Sequence, residues 1–400
     1  MRKAAFAKFC RAQTICYTFA VFGCNNARGW CMSEKATKHG TESYAERFRG
    51  RAADGHFRQS QGLLLSSLGI GTYLGQPDER TDAAYSSAIV MAVENGINVI
   101  DAAINYRFQR SERSIGAALI QLEEKGFLRE QVVICTKAGY LTPDGRMPAD
   151  PNRYFFEEYM QRGIFQAKDI AAGSHCIAPR FLQDQLARSM ANMGVDCIDV
   201  FYLHNPETQL AEIPKTQFLS RVREAFHFLE AGVASGKIQF YGMATWNGFR
   251  QEANARDAMQ LSDFVSIAKE IAGDSHHFRF IQLPFNLGMT EALTLGNQTL
   301  NGKALTMMEA AEELGIILVA SASLLQGQVA SNLPPFVAEA LGLESDAQRA
   351  LQFVRSSPGI TTALVGMSRD EHVVSNSKLA LVPPATLDQF TKLFSRGPSG

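Results

Sequence analysis

Ile97-Asn98-Val99-Ile100-Asp101, introduced by Asn95-Gly96, is a short β-branched run that ends in a carboxylate. Asn-Gly suits the handover from a helix to a strand, and an apolar run this short, bounded by such a signal, reads as a buried strand. The form recurs at 67–71, 131–136, 198–203, 238–243, 279–284, 316–320 and 361–366. Between these runs lie stretches with helical spacing. Leu182, Leu186, Met190 and Met193 form one face behind Pro179, where a missing N–H costs nothing. Ile115, Leu119 and Leu122 form another, with Ser111 placed as its N-cap. Gly194, Gly236 and Gly315 fall where helices close. Eight strands alternating with eight helical stretches over roughly 320 residues is the pattern of a (β/α)8 TIM barrel. A doubly wound open sheet is the rival, but Gly69-Ile70-Gly71-Thr72-Tyr73 lacks the third glycine of its phosphate-binding loop. In a barrel, chemistry belongs at the C-terminal ends of the strands.

The 400 residues are 46% apolar and 20% charged, ample for a packed core. Net charge is −1, too small for general attraction to nucleic acid or an anionic membrane. Residues 1–60 hold eleven Lys/Arg and four Asp/Glu, so the rest of the chain is acidic. Four of the seven cysteines, Cys10, Cys16, Cys24 and Cys31, crowd the first 31 residues, and none stands at zinc-ligand spacing. A reduced, cytoplasmic protein without a metal is expected. Residues 1–59 read as a flexible leader and arm, with Met32 as an alternative start, 60–382 as the barrel, and 383–400 as a C-terminal helix and tail. Leu387, Phe390 and Phe394 give that helix one apolar face. No segment offers the uninterrupted apolar length of a membrane span.

Asp101 ends the second run, and Tyr106 follows five residues later. The third run ends at Lys137 and the fourth at His204. Singly, each has a plain structural reading: a helix cap, a solvent-facing ring, a surface charge, a satisfied rim histidine. Together, at the mouths of three successive strands, they make a proton-transfer group. An ammonium favours the phenolate and lowers a tyrosine pKa, and a buried carboxylate keeps that ammonium charged. Tyr106 backed by Lys137 and Asp101 is then a general acid for a carbonyl oxygen, and His204 orients that oxygen. Four groups that polarise a C=O still need a nucleophile, and hydride from a nicotinamide fits that gap.

These residues carry a resemblance. Gly69-Ile70-Gly71-Thr72, the run Asn98 to Tyr106, Ser111-Glu112 with Ile115-Gly116, Thr136-Lys137 and Leu203-His204 resemble the aldo-keto reductase superfamily. The likeness continues at 241–246, Gln282, Leu325-Gln326-Gly327 and Val365-Gly366 through Asn376. It implies a barrel with an N-terminal hairpin and a long insertion after the third strand, binding NADPH, with NADH as the alternative, in an extended pose. It implies Tyr106 as acid/base, tuned by Lys137 and Asp101, with His204 positioning the carbonyl. Thr245 and Gln282 fall where the family holds the nicotinamide carboxamide. Gly366, Ser368, Arg369, His372 and Asn376 match the motif for the adenosine phosphate, at a helix N-terminus that suits an anion. Gly71, Thr72, Leu324 and Gln326 complete the cofactor set, and Tyr73, Tyr140 and Trp246 the pocket for a small carbonyl substrate. The implied function is reduction of an aldehyde or ketone, or the reverse, with a cofactor-binding regulatory or redox-sensing subunit as the alternative. The chain departs from the pattern at Ser321, where an aromatic ring stacking on the nicotinamide is usual, and at Ser375, where an acid is common. The segment from Ala138 to Arg180 exceeds an ordinary βα loop and reads either as a lid that forms part of the substrate pocket or, equally, as a surface excursion packed on its own aromatics.

Overall fold

The computed structural model describes residues 35–395. An antiparallel hairpin of β1 (Phe57–Ser60) and β2 (Leu63–Ser66) leads into β3 (Leu68–Gly71). There follow β4 (Val99–Asp101), β5 (Val133–Ala138), β6 (Ile198–His204), β7 (Ile238–Ala244) and β8 (Phe278–Pro284). A small hairpin, β9 (Gln298–Leu300) with β10 (Lys303–Leu305), precedes β11 (Ile317–Ser321) and β12 (Ile360–Gly366). Strands β3 to β8, β11 and β12 close an all-parallel barrel, β12 pairing with β3. The doubly wound alternative is thereby excluded.

Every residue of β5 and β6 is buried. Such strands face the barrel interior on one side and the helical ring on the other, which is why they read as continuous apolar runs. Inward residues Val99, Val133, Cys135, Val200, Tyr202, Phe280, Val319 and Leu364 make one core with Leu63 and Leu65 of the hairpin, so the hairpin plugs the barrel end away from the site. Pro179 opens the helix Pro179–Met193, and Gly194 closes it at φ +66°, as its spacing implies.

Three expectations need correction. Residues 1–34 lie outside the described residues, but the part of the proposed arm from 35 to 59 is docked. The helix Lys38–Glu46 buries Tyr44, whose hydroxyl donates to Val93 O at 2.6 Å. Ala36 N–H donates to the buried Asp199 at 2.7 Å. Ser111 is not an N-cap. The helix Arg110–Glu124 is preceded by Arg107, Phe108 and Gln109, all at positive φ, so it starts two residues earlier than a Ser111 cap would place it. The Ser111 hydroxyl bonds Thr72 instead. In the C-terminal helix Leu387–Ser395, only Phe390 docks fully, stacking on Phe353 at 5.5 Å, while Leu387 is 70% exposed. The 138–180 excursion is no lid: only Tyr140 of it lines the cavity described below. The rest folds on its own aromatics, with Tyr159 buried among Phe155, Phe165 and Phe181, its hydroxyl donating to Thr142 O, and Arg188 lying over its ring.

Candidate active site

At the C-terminal mouth of the barrel lies a cavity of about 760 Å³. Asp101 at the end of β4, Tyr106 just beyond it and His204 at the end of β6 line its inner end. Lys137 of β5 sits behind them, fully buried. Its ammonium donates to Asp101 Oδ2 at 2.6 Å and to Ala102 O at 2.7 Å, and lies 4.9 Å from the centre of the Tyr106 ring. The rings of Tyr106 and His204 stand edge to face at 5.8 Å. The four side chains therefore converge on one small space.

Tyr106 is held there by its own loop. The left-handed run from Arg107 to Gln109 is an uncommon backbone for non-glycine residues, and it is fixed by the Arg107–Asp82 ion pair at 2.5 Å and by Gln109 Nε2 donating to Pro143 O. Burial raises the Tyr106 pKa above the ordinary tyrosine value, and Lys137 only partly opposes it. The expected lowering is therefore corrected: loss of water outweighs one neighbouring cation. Burial also works against the charge of Lys137, but Asp101 and Tyr106 together hold its pKa above the usual lysine value. Burial, with Lys137 and His175 nearby, keeps His204 well below the usual histidine value, so its imidazole is neutral at neutral pH.

Several supporting contacts carried no recognisable signal in the sequence. Gln282 Nε2 donates to Asp101 Oδ1 at 2.8 Å, so the carboxylate is held at both oxygens. Asn105 Oδ1 lies 3.2 Å from His204 Nδ1. His175, whose pKa burial lowers to about 4, lies 2.7 Å from the His204 carbonyl and is oriented by Gln209. Glu207 Oε1 accepts the N–H groups of Trp246, Asn247 and Gly248 and so pins the loop after β7. Tyr85 adds a buried ring to the cavity wall.

The cavity runs outward from the tetrad to the helix Asp370–Ser377. Its walls include Gly71, Thr72, Thr245, Gln282, Leu324 and Gln326, then Gly366, Ser368, Arg369, His372 and Asn376, with Tyr73, Tyr140 and Trp246 near the inner end. Every residue singled out from the sequence is in this wall, apart from Lys137 behind it. The lining fits a dinucleotide on two counts. The Thr245 hydroxyl is buried without a partner, and a Cβ built at Gly71 or Gly366 would meet nothing closer than 3.9 Å. Ser321 lines the wall where a ring was expected. The backbone of Ala322, Leu325 and Gln326 beside it is left-handed. Among the described residues no cluster of His, Cys, Asp and Glu could hold a metal ion, and no helix is long and apolar enough to cross a membrane.

Residues 67–394 match the aldo/keto reductase family. The chain belongs to that family. This places it among the NAD(P)-dependent oxidoreductases. The chain is 27% identical to an NADH-specific methylglyoxal reductase of Escherichia coli, over 46% of this chain and 49% of that protein, about half its length. It is 22% identical to a putative voltage-gated potassium channel subunit beta of Schizosaccharomyces pombe, over 87% of this chain and 91% of that one. A solved aldo/keto reductase of Klebsiella pneumoniae, in complex with NADP and acetate, superposes with a TM-score of 0.57 at 18% identity, over 85% of this chain and 94% of that one. The holo form of one from Bacillus halodurans gives 0.58 at 17%, over 84% and 95%. These two likenesses concern the fold.

Proposed function

We propose that this protein reduces an aldehyde or ketone with NADPH as cofactor, NADH serving less well. The observation that carries the reading is the convergence of Tyr106, Lys137, Asp101 and His204 at one end of a cavity of about 760 Å³ whose lining continues to the helix Asp370–Ser377. Thr245 and Gln282 would hold the carboxamide of the nicotinamide, and Ser368, Arg369, His372 and Asn376 the adenosine phosphate. Bound there, the cofactor supplies a hydride to the carbonyl carbon.

The protein's own residues do the rest. Tyr106 keeps its proton through neutral pH and gives it to the carbonyl oxygen as negative charge grows there. Lys137 stabilises the phenolate left behind, and Asp101, held by Gln282, keeps Lys137 aimed. His204 donates from Nε2 to the same oxygen. For this, Nδ1 must accept a proton donor, which Asn105 provides with its amide NH2 turned inward, an orientation related to the present one by a simple amide flip. The protein is read as cytoplasmic, and among the described residues Cys135 and Cys176 are buried thiols outside any disulfide.

The test is loss of NADPH absorbance with a panel of small aldehydes and ketones. A second reading, a cofactor-binding regulatory subunit with little turnover, draws support from Ser321 in place of a stacking ring and from similarity along most of the chain to channel beta subunits. Tight NADPH binding with no oxidation by any carbonyl in the panel would select it.

A further inference from the structure

His175 is fully buried, and its neighbours fix the direction of the bond it makes. Arg221 donates from its guanidinium to Gln209 Oε1, and a guanidinium has no lone pair with which to accept. The amide NH2 of Gln209 is then on the other side, where Nε2 lies 2.8 Å from His175 Nδ1 and 3.2 Å from the His175 carbonyl. A carbonyl only accepts, so both ends of the amide agree on which atom is which. Nδ1 of His175 is therefore an acceptor. Burial holds the pKa of the ring down at about 4, so the imidazole is neutral and its one N–H sits on Nε2. That nitrogen lies 2.7 Å from the His204 carbonyl. The chain runs one way, from Arg221 through Gln209 and His175 to His204.

The backbone is built around this contact. The excursion after β5 returns to the end of that strand, with Leu141 N–H on Ser174 O at 2.8 Å and Cys176 N–H on Gly139 O at 2.7 Å, so that Tyr140 and His175 pair as an antiparallel bridge. Gly139 leaves the room, because a Cβ there would meet His204 O at 2.5 Å and His175 Nε2 at 3.0 Å. Arg221 also ties the excursion down, donating to Lys168 O at 2.6 Å. The Tyr140 ring stands edge-on to both imidazoles, 4.9 Å from His175 and 5.3 Å from His204. Asn105, Tyr106 and Tyr140 set the ring of His204. The His175 bond sets the main chain from which that ring swings, at the last residue of β6 and just before Asn205 turns left-handed.

We propose that His175 is a positioning residue for carbonyl reduction: by donating from Nε2 to the His204 carbonyl it holds the end of β6, so that His204 meets the substrate oxygen. This role rests on the reductase reading. It gives the excursion a part in the chemistry without covering the cavity. A misplacement of about 1 Å in such a donor costs up to about 10²-fold in rate.

The test is kcat and KM for propanal at saturating NADPH, with the NADPH Kd on the same samples. The proteins are the parent, His175→Leu, His175→Gln, His204→Ala, and His175→Leu combined with His204→Ala. Leucine removes the donor, and the glutamine amide puts one back near the place of Nε2. His175→Leu lowers kcat by about tenfold or more with the NADPH Kd within about threefold, and His175→Gln returns kcat to within about threefold of the parent. On the His204→Ala background the same His175→Leu change costs less than about twofold, because the group it positions is gone. An equal loss on both backgrounds marks a merely structural role and overturns the proposal. So does an unchanged kcat in His175→Leu, or a His175→Gln protein as slow as His175→Leu. Should His175→Leu not fold, His175→Asn, whose shorter amide stops short of the His204 carbonyl, replaces it in every comparison. If the parent reduces no carbonyl, the reductase reading fails by itself, and NMR of the histidine ring nitrogens then decides the role of His175. A proton on His175 Nε2, with His204 signals that move more in His175→Leu than in His175→Gln, supports it; a bare His175 Nε2 or unmoved His204 signals overturn it.

Discussion

Replacing Lys137 by Met removes a charge while keeping an unbranched stem in a fully buried place. The ammonium lies 4.9 Å from the centre of the Tyr106 ring. A full negative charge on the phenol would be stabilised by about 3 kcal/mol at an effective dielectric of about 20. The phenol is only partly ionised when the carbonyl oxygen takes its proton, so roughly 1.5–3 kcal/mol of barrier is at stake. That is a loss of about 10- to 150-fold in kcat. The substitution has a second effect. Asp101 would keep Gln282 as a donor but lose its ion pair, and a buried carboxylate stripped of its cation is strongly destabilising. The informative protein is therefore Lys137→Met combined with Asp101→Asn, which leaves no orphaned charge. The assay is kcat at saturating NADPH and aldehyde at pH 7, with Tm and the NADPH Kd measured on the same preparation. The Kd should stay within about threefold. A folded double variant whose kcat is within twofold of the parent would refute the claim that the ammonium stabilises the phenolate.

Three further outcomes follow from the same geometry. Tyr106 is raised and His204 lowered, both chiefly by burial, so the acid form of one and the neutral form of the other persist across the physiological range. The reduction rate should therefore be flat from about pH 6 to 9 and fall only as pH passes the raised tyrosine value, while the reverse oxidation, which needs the phenolate, climbs with pH; a kcat/KM for reduction that titrates near 6.5 contradicts this. Asn105→Asp places an acceptor against His204 Nδ1, drives the proton to that nitrogen and turns a lone pair on Nε2 toward the carbonyl; steady-state kinetics should show kcat down about tenfold or more with NADPH Kd unchanged, whereas an unchanged kcat removes His204 as donor. Arg369 is paired with Glu371 at 3.1 Å, both about two-thirds exposed, an arrangement that competes weakly with a phosphate; Glu371→Gln should tighten NADPH binding severalfold and leave NADH nearly unmoved, and equal effects on both would dissociate Arg369 from the 2′-phosphate.

The barrel was legible because its strands are buried on two faces and so stand out as short apolar runs between helical spacings. The site was legible for a related reason. Asp101, Lys137 and His204 interrupt those runs at their C-terminal ends, where an apolar pattern gives no cause for a charge. What the sequence hides is held by contacts distant along the chain. The helix Lys38–Glu46 has a mostly polar sequence, and its docking depends on Tyr44 reaching Val93, beside Ala36 bonding Asp199. Ser111 has the right chemistry for a cap, but a left-handed turn at 107–109 starts the helix at Arg110 and leaves Ser111 inside it. The direction of the Tyr106 shift is hidden because a sequence shows the neighbouring lysine but not the loss of water. The excursion after β5 shows its aromatic residues plainly, but not that they turn to each other and to the helix Pro179–Met193.

The central claim is that Tyr106 hands a proton to a carbonyl oxygen beside bound nicotinamide. Tyr106→Phe tests it most directly, with NADPH binding and aldehyde-dependent NADPH oxidation measured on one sample. The account predicts a Kd within about threefold of the parent and a kcat lower by about 10² or more. A Tyr106→Phe variant that binds NADPH and still reduces aldehydes at the parent rate would contradict it.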